Sequence, residues 1–391
     1  MQTPLSISKM IKRLSLVTLT VLISTNSTFT THAANFWVYF GTYTAGASRG
    51  IYAARLDSVG KLSRPTLVAT TVNPSFLAVD SKHRYLYAVN EINGSTGETL
   101  PDVIAYAINA ENGNLTKLNE QAVRGEALCH VEVDASDRTV LVASYGGGSV
   151  ATFPVQIDGS LGKSSSFIQH HGSSVTPLNQ KGPHAHCIVT DQASHFALAC
   201  DLGLDQILIY KLDPKARTIT PNNPAFVSMR PGLGPRHLAF HPNGKFVYVI
   251  SEMDCSITAF NYDSKRGSLS EIQNISSLTT NEINYPAISG AEIAVHPNGK
   301  FLYTSTRGLD VINVFSIHKK GLLSRIESIS SGGKTPRNFN LDPTGRFLIA
   351  ANQNSDDVVV FRVDPRTGRL SPTGQTERLG NPSCVVFARA K

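Results

Sequence analysis

The chain is poor in cysteine. Its 391 residues hold five, at 129, 187, 200, 255 and 384, with no CxxC pair and no Cys/His spacing of a metal-ligand set. A disulfide framework and a structural metal site are therefore excluded as the organising principle. Charge is sparse too: 17% of residues are charged, and the formal net charge of +7 is spread without a dense Lys/Arg run. Such an excess is that of a solvated surface, and nucleic acid is not an expected partner. No apolar run reaches the ~20 residues that a membrane-spanning helix needs. A GxSxG elbow is also missing, which leaves a nucleophilic-serine triad without support.

What is present begins with the N-terminus. Lys9, Lys12 and Arg13 precede a short apolar run, Leu14 to Ile23, and a polar stretch that ends in His32-Ala33-Ala34. A positive segment, a short apolar segment and small residues at the end make a secretory signal peptide over residues 1–34. The expectation is an exported protein, periplasmic or secreted, whose mature part, residues 35–391, is free of the membrane once the signal is removed; an uncleaved anchor is the alternative. Asn93, Asn114 and Asn274 begin glycosylation sequons, which matter only in a cell that glycosylates.

Thirty Gly and twenty Pro point to many turns and short strands, and the chain repeats itself. Six segments align without a gap: Leu77–Glu91, Val131–Tyr145, Ile188–Leu202, Leu238–Glu252, Ile293–Arg307 and Phe339–Gln353. Each has a short alternating apolar run, a polar turn such as HPNGK or DPTGR, and a second β-rich run, which is the pattern of a β-hairpin. The starts lie 54, 57, 50, 55 and 46 residues apart, and a seventh start follows at Val385, where the chain ends after one strand. A third and a fourth strand follow each hairpin, and four strands per unit of about 50 residues is the blade of a propeller. The seventh unit lacks all but its first strand, and the N-terminal segments Phe36–Tyr43, Gly50–Leu56 and Lys61–Thr71 can supply the rest. The predicted fold is all-β: a seven-bladed β-propeller of four-stranded antiparallel blades, closed by strands from both termini, which removes open sheet edges. Cys187 and Cys200 face each other in one such hairpin and can form a bridge, though two small buried apolar side chains explain them more simply.

The repeat also locates the chemistry. Residues before the first strand and after the second lie at one end of a hairpin, so in a propeller they ring one mouth of the central channel. Before the first strands stand Ser75-Phe76, Cys129-His130, His186-Cys187, Arg236-His237, Ala291-Glu292, Arg337-Asn338 and Ser383-Cys384. At the ends of the second strands stand Asn90-Glu91, Ser144-Tyr145, Asp201, Glu252, Arg307 and Asn352-Gln353. The opposite turns carry ordinary turn residues. One rim thus gathers arginines, histidines and carboxylates, a set suited to a small polar anion. Structural roles compete for each: Arg236 and Glu252 share a hairpin and can pair, His130 and His237 can pack, and Arg307 and Arg337 can be surface charges. His184 and His186 have the spacing of a metal pair, but no third ligand is marked. The doublet His170-His171 lies in a Ser/Gly-rich loop and reads as solvated.

The segments FGTYT (40–44), LYAVNE (86–91), ASYGGGSV (143–150), GPHAH (182–186), GPRHLAFHPNGKFVYVISE (234–252), TPRNFNLDPTGRFLIAANQNSDDVVVF (335–361) and NPSCV (381–385) resemble the lactonase family of seven-bladed propellers. That family includes a bacterial type of 6-phosphogluconolactonase and the fungal carboxy-cis,cis-muconate cyclase. The resemblance covers about residues 36–388 and implies a site of His, Arg and Glu at one channel mouth. By position its catalytic residues are His186, Arg236, Glu252 and Arg307, with His130, Tyr145, Asp201, His237, Arg337 and Gln353 as substrate-binding candidates and no metal or cofactor. It implies a lactone-acting hydrolase, opening a sugar lactone such as 6-phosphogluconolactone or a related aldonolactone, on a monomer with a small anionic lactone or carboxylate as partner. Arginines would hold the anion and the developing oxyanion while His186 or Glu252 moves the proton. An extracytoplasmic binding propeller and a muconate-lactonising cyclase are the other readings. Export argues against 6-phosphogluconolactone itself, which is made inside cells.

Overall fold

A computed structural model describes residues 35–92 and 101–391; the expected signal peptide and the Asn93 sequon lie outside the described residues. The described chain forms seven four-stranded antiparallel sheets, as the repeat predicts. The inner strands are Pro74–Val79 (blade 1), Leu128–Val133 (blade 2), Ala185–Thr190 (blade 3), Pro235–Phe240 (blade 4), Ser289–Val295 (blade 5), Pro336–Leu341 (blade 6) and Pro382–Arg389 (blade 7). In blades 1 to 6 the chain runs outward through the remaining three strands. Blade 7 is composite: its inner strand pairs with Phe36–Thr42, and Gly50–Leu56 and Thr66–Thr70 complete the sheet. A single 3-10 turn, Gln353–Ser355, is the only helical element among the described residues, and none of their helices is long and apolar enough to cross a membrane.

The alternating apolar positions explain the assembly. Each sheet buries both faces against its neighbours, so Ile349 and Val360 of blade 6 pack with Val38, Phe40 and Val385 of blade 7. A repeated tether reinforces these contacts. The hydroxyls of Tyr39, Tyr87, Tyr248 and Tyr303 donate to the carbonyls of Gly113, Gly159, Gly321 and Gly368 in the outer turn of the next blade, at 2.8–3.1 Å.

The polar hairpin turns sit at the mouth away from the candidate residues and are used structurally. Asp134 Oδ1 accepts the backbone N–H groups of Arg138 and Thr139 at 2.8 and 2.6 Å, closing its turn. His241 and His296, in the two HPNG turns, instead bond the carbonyls of Gly299 and Gly345 in the next blade's turn, each at 2.8 Å.

Cys187 and Cys200 are direct cross-strand partners, as placed, and both are buried free thiols. His170 departs from expectation. It is 3% exposed, its Nδ1 lies 2.6 Å from Asp201 Oδ2, and Tyr210 Oη lies 2.7 Å from its Nε2. The loop brings it inward because buried Asp201 requires partners; only His171 of the doublet is exposed.

Candidate active site

A plain β-strand sends consecutive side chains to opposite faces. The inner strands break this rule at one place, and they all break it together. Where Pro74 faces Asn90 and Phe76 faces Val89, Ser75 is one residue too many; the same register shift occurs in every blade. The extra residues are Ser75, Cys129, His186, Arg236, Arg337 and Ser383, with Ala291-Glu292 standing opposite Ser305 in blade 5. Such bulges re-aim side chains. Consecutive residues consequently face one space: Arg236 with His237, and Arg337 with Asn338, line the same small cavity. These pairs lie inside the first strands rather than before them, because pairing begins earlier than the aligned apolar runs.

A second ring comes from the residues at the ends of the second strands: Tyr43, Glu91, Tyr145, Leu202, Glu252 and Gln353, each just past its strand, and Arg307, the last residue of its own. At its centre is Glu252. Its Oε2 lies 3.0 Å from Arg236 Nε and 3.8 Å from His186 Nε2, and its Oε1 lies 3.1 Å from Arg307 Nη2. The four catalytic candidates therefore share one site. Arg236 is 2% exposed; its Nη1 donates to Ala291 O at 2.6 Å, while Arg307 Nη2 also donates to Gly290 O at 3.1 Å. The Arg236 Nε–H is not aimed along the short contact with Glu252, so that contact is charge pairing without a directed hydrogen bond. That N–H and the Arg307 Nε–H have no hydrogen-bond acceptor among the described residues.

The remaining candidates divide. Tyr145 stacks on His184 at 4.5 Å between ring centroids and meets His186 edge-on at 5.4 Å. His237 lies 5.0 Å from His186 and 5.5 Å from His130, and Phe76 packs on His130 at 4.3 Å. Arg337 lies over the ring of Tyr43 at 5.2 Å, and Tyr43 Oη donates to Glu91 Oε2 at 2.7 Å. Gln353 occupies the same ring within the 3-10 turn. Asp201 belongs elsewhere. It is fully buried, with its carboxylate taken by His170, by the backbone N–H of His184 at 2.8 Å and by that of Leu204 at 3.1 Å. It is the last strand residue, one before the ring, so alternation turns it into the loop; Thr42, Ser144 and Asn352, at the same position in other blades, are buried likewise. Tyr43 is the participant that the repeat failed to mark.

The charges settle in a definite order. Burial would raise the Glu252 carboxyl, but Arg307, Arg236 and Arg337 outweigh it and hold it below the usual range. Burial, with Arg307 beside it, lowers the Arg236 guanidinium to about 10, still charged at neutral pH. Burial followed by nearby cationic groups keeps His130, His186 and His237 well below 6.5, so all three are neutral imidazoles at pH 7. No group of three or more His, Cys, Asp or Glu among the described residues is arranged to hold a metal ion, and His184 and His186 bond other partners. The arrangement supplies fixed positive charge and neutral nitrogen bases at one mouth. It suits a substrate that carries or develops negative charge.

Residues 37–387 match the family model "Lactonase, 7-bladed beta-propeller". The 6-phosphogluconolactonase of Bacillus subtilis (strain 168) is 38% identical over 351 residues, 89% of this chain and 97% of its own length. That of Formosa agariphila is 34% identical over 79% of this chain and 86% of its own. Among solved structures, the periplasmic gluconolactonase of Pseudomonas aeruginosa is 31% identical, with a TM-score of 0.84, over 92% of this chain and 100% of its own.

Proposed function

The chain belongs to the lactonase family of seven-bladed β-propellers, and from that premise we propose that it hydrolyses the ring ester of an aldonolactone outside the cytoplasm, acting as a monomer. The observation that carries this reading is the convergence of Arg236 and Arg307 on Glu252 beside His186, with Arg337 facing the same space. Ester hydrolysis passes through a tetrahedral intermediate whose oxygen becomes negative, and preorganised donors that need not reorient at that moment lower its energy most. The guanidinium groups of Arg236 and Arg307, held in place by Glu252, are such a preorganised source of positive charge. In this reading Glu252 is a clamp for the two arginines rather than the proton acceptor, because both of its oxygens are engaged and its basicity is depressed.

The signal-like first 34 residues favour an unphosphorylated or dephosphorylated sugar lactone over an intracellular phosphate ester, and a periplasmic gluconolactonase among the similar structures supports that preference. The test is proton release by purified residues 35–391 with glucono-δ-lactone and 6-phosphogluconolactone, corrected for spontaneous opening. The expected result is hydrolysis above background, preferring the unphosphorylated lactone, and about 100-fold lower kcat/KM in Arg307→Ala, the loss typical of removing one oxyanion donor. No acceleration with either lactone would replace this reading with a binding propeller or a cyclase.

A further inference from the structure

Below the arginines the bulge leaves a second level of side chains, and two of them form a pair with an unspent end. His237 Nδ1 lies 3.0 Å from Glu292 Oε1 across two neighbouring blades. The other oxygen, Oε2, accepts the Asn338 side-chain N–H in a short hydrogen bond, and Oε1 also accepts the backbone N–H of Ile293 at 3.0 Å. Glu292 is thus surrounded by donors, the environment of a carboxylate, and it draws the His237 proton onto Nδ1. The tautomer that results leaves a lone pair on Nε2. That nitrogen is buried, in a residue 4% exposed, and has no hydrogen-bond partner among the described residues.

His237 borders a cavity of about 10 Å³, bounded also by Ser75, Glu91, Arg236, Arg337 and Asn338. A volume of that order holds one water molecule when polar groups surround it. Neither of the expected bases is so placed. Glu252 has both oxygens in ion pairs, and His186 Nε2 is 3.8 Å from the nearest carboxylate oxygen, too far to be oriented by it.

Resting on the lactonase reading, we propose that His237 is the general base of the reaction, acting on a water molecule seated in this cavity, and that Glu292, fixed by Asn338, is the residue that positions it. The water oxygen bonds to the lactone carbonyl carbon as one of its protons passes to His237 Nε2. Arg236 and Arg337 border the same cavity, and together with Arg307 they supply positive charge to the oxyanion that forms. Collapse of the intermediate breaks the bond from the carbonyl carbon to the ring oxygen, which leaves with the proton now on His237. The product is a hydroxy acid, whose carboxyl proton is lost to solvent. The acid–base relay and the anion clamp are both built largely from blades 4 and 5, and they occupy successive levels of the channel.

The surroundings give the relay a pH signature. Facing Glu292 are Arg236 and His237 from blade 4, His130 from blade 2, Asn338 from blade 6 and the Cys384 thiol from blade 7. Facing His237 are Arg236, Arg337, Arg307, Glu252, His186 and His130. Burial raises the Glu292 carboxyl to about 7 despite Arg236, whereas His237 stays neutral. A protonated Glu292 would donate to Nδ1 and move the His237 proton to Nε2, removing the base. Activity should therefore be present above about pH 7 and fall as pH drops through it.

The experiment compares wild type, His237→Asn, His237→Ala, Glu292→Gln and Arg307→Ala as residues 35–391, each checked for folding by circular dichroism, on glucono-δ-lactone from pH 5.5 to 8. His237→Asn should lower kcat by about 100-fold or more, the usual share of a general base, with KM little changed. Added imidazole should restore part of the rate to His237→Ala. Glu292→Gln should lower kcat less and abolish the inflection near pH 7. A folded His237→Asn enzyme within about threefold of wild type, beside a defective Arg307→Ala, overturns the relay and leaves the lactonase reading standing. Should His237→Asn fail to fold, an unchanged inflection in Glu292→Gln overturns it equally. A wild type that hydrolyses neither sugar lactone removes the lactonase reading, and the relay with it.

Discussion

Glu252 shows how much a single residue's meaning depends on its partners. In the sequence it is a carboxylate at a strand end; in the fold it is the shared counter-ion of Arg236 and Arg307. Removing it would leave the buried Arg236 guanidinium without compensation, and breaking such a pair typically costs about 3 kcal/mol. Glu252→Gln should accordingly lower stability as well as activity, measured by denaturant unfolding at pH 7. Its pH dependence has a definite sign. Glu252 is more acidic folded than unfolded, so its contribution is complete above the unfolded value of about 4.5 and fades as pH falls through the lower folded value. The gap between wild type and Glu252→Gln should narrow below about pH 4; a constant gap from pH 3 to 7 would mean that charge is not what Glu252 contributes. Asp201 is the opposite case. It stands one residue before the site ring and spends its charge on His170 and two backbone N–H groups. Nothing in residue type separates it from Glu252. The difference is strand alternation, which needs a register known to one residue.

At the scale of elements, the hairpin was legible because every blade reuses it, with turn chemistry and apolar alternation agreeing on the same two strands. The bulge was not, because an extra residue has no compositional mark; its effect appears only when both strands are paired. From sequence alone both members of each bulge doublet can be named, but not that Arg236 and His237, or Arg337 and Asn338, line one space, so packing competes with substrate binding as the reading of His237. Contacts between blades have a similar hidden logic. Gly159, at φ +85°, lies against Tyr85 so closely that an added Cβ would stand 2.3 Å from the ring. Gly113 meets Trp37 in the same way, and Gly321 meets Phe246. Gly159→Ala should destabilise by about 2 kcal/mol through overpacking and a disfavoured backbone conformation. Because the contact lies at the outer turn, far along the blade from the mouth, kcat of the folded fraction should not change. An unaltered denaturation midpoint would show that the outer turns yield easily and do not fasten one blade to the next.

For the whole molecule, the ring is the unit of stability and of function. The closing strand Phe36–Thr42 is the second strand of blade 7, and Tyr43 at its end carries one member of the site ring. The repeat did not reveal Tyr43 because this blade has no hairpin turn: its first and second strands come from opposite ends of the chain, and the polar turn that marks the other six never forms. The strand buries Phe36, Val38, Tyr39 and Phe40, all at most 3% exposed. At about 1.5–3 kcal/mol for each large apolar side chain, their loss rivals the whole net stability of an ordinary domain, about 5–15 kcal/mol. It would also bare the edges of Pro382–Arg389 and Gly50–Leu56, which are templates for pairing with other chains. A chain starting at residue 44 should thus fail to fold cooperatively and should aggregate, whereas one ending at Ala390 should melt like the full protein. Size-exclusion chromatography and thermal melting of the two would decide it. If the chain from residue 44 stays monomeric with an unshifted midpoint, closure is not what holds the blades, and the site's arginines and histidines, drawn from blades 2 to 6, would have to be positioned by those blades alone.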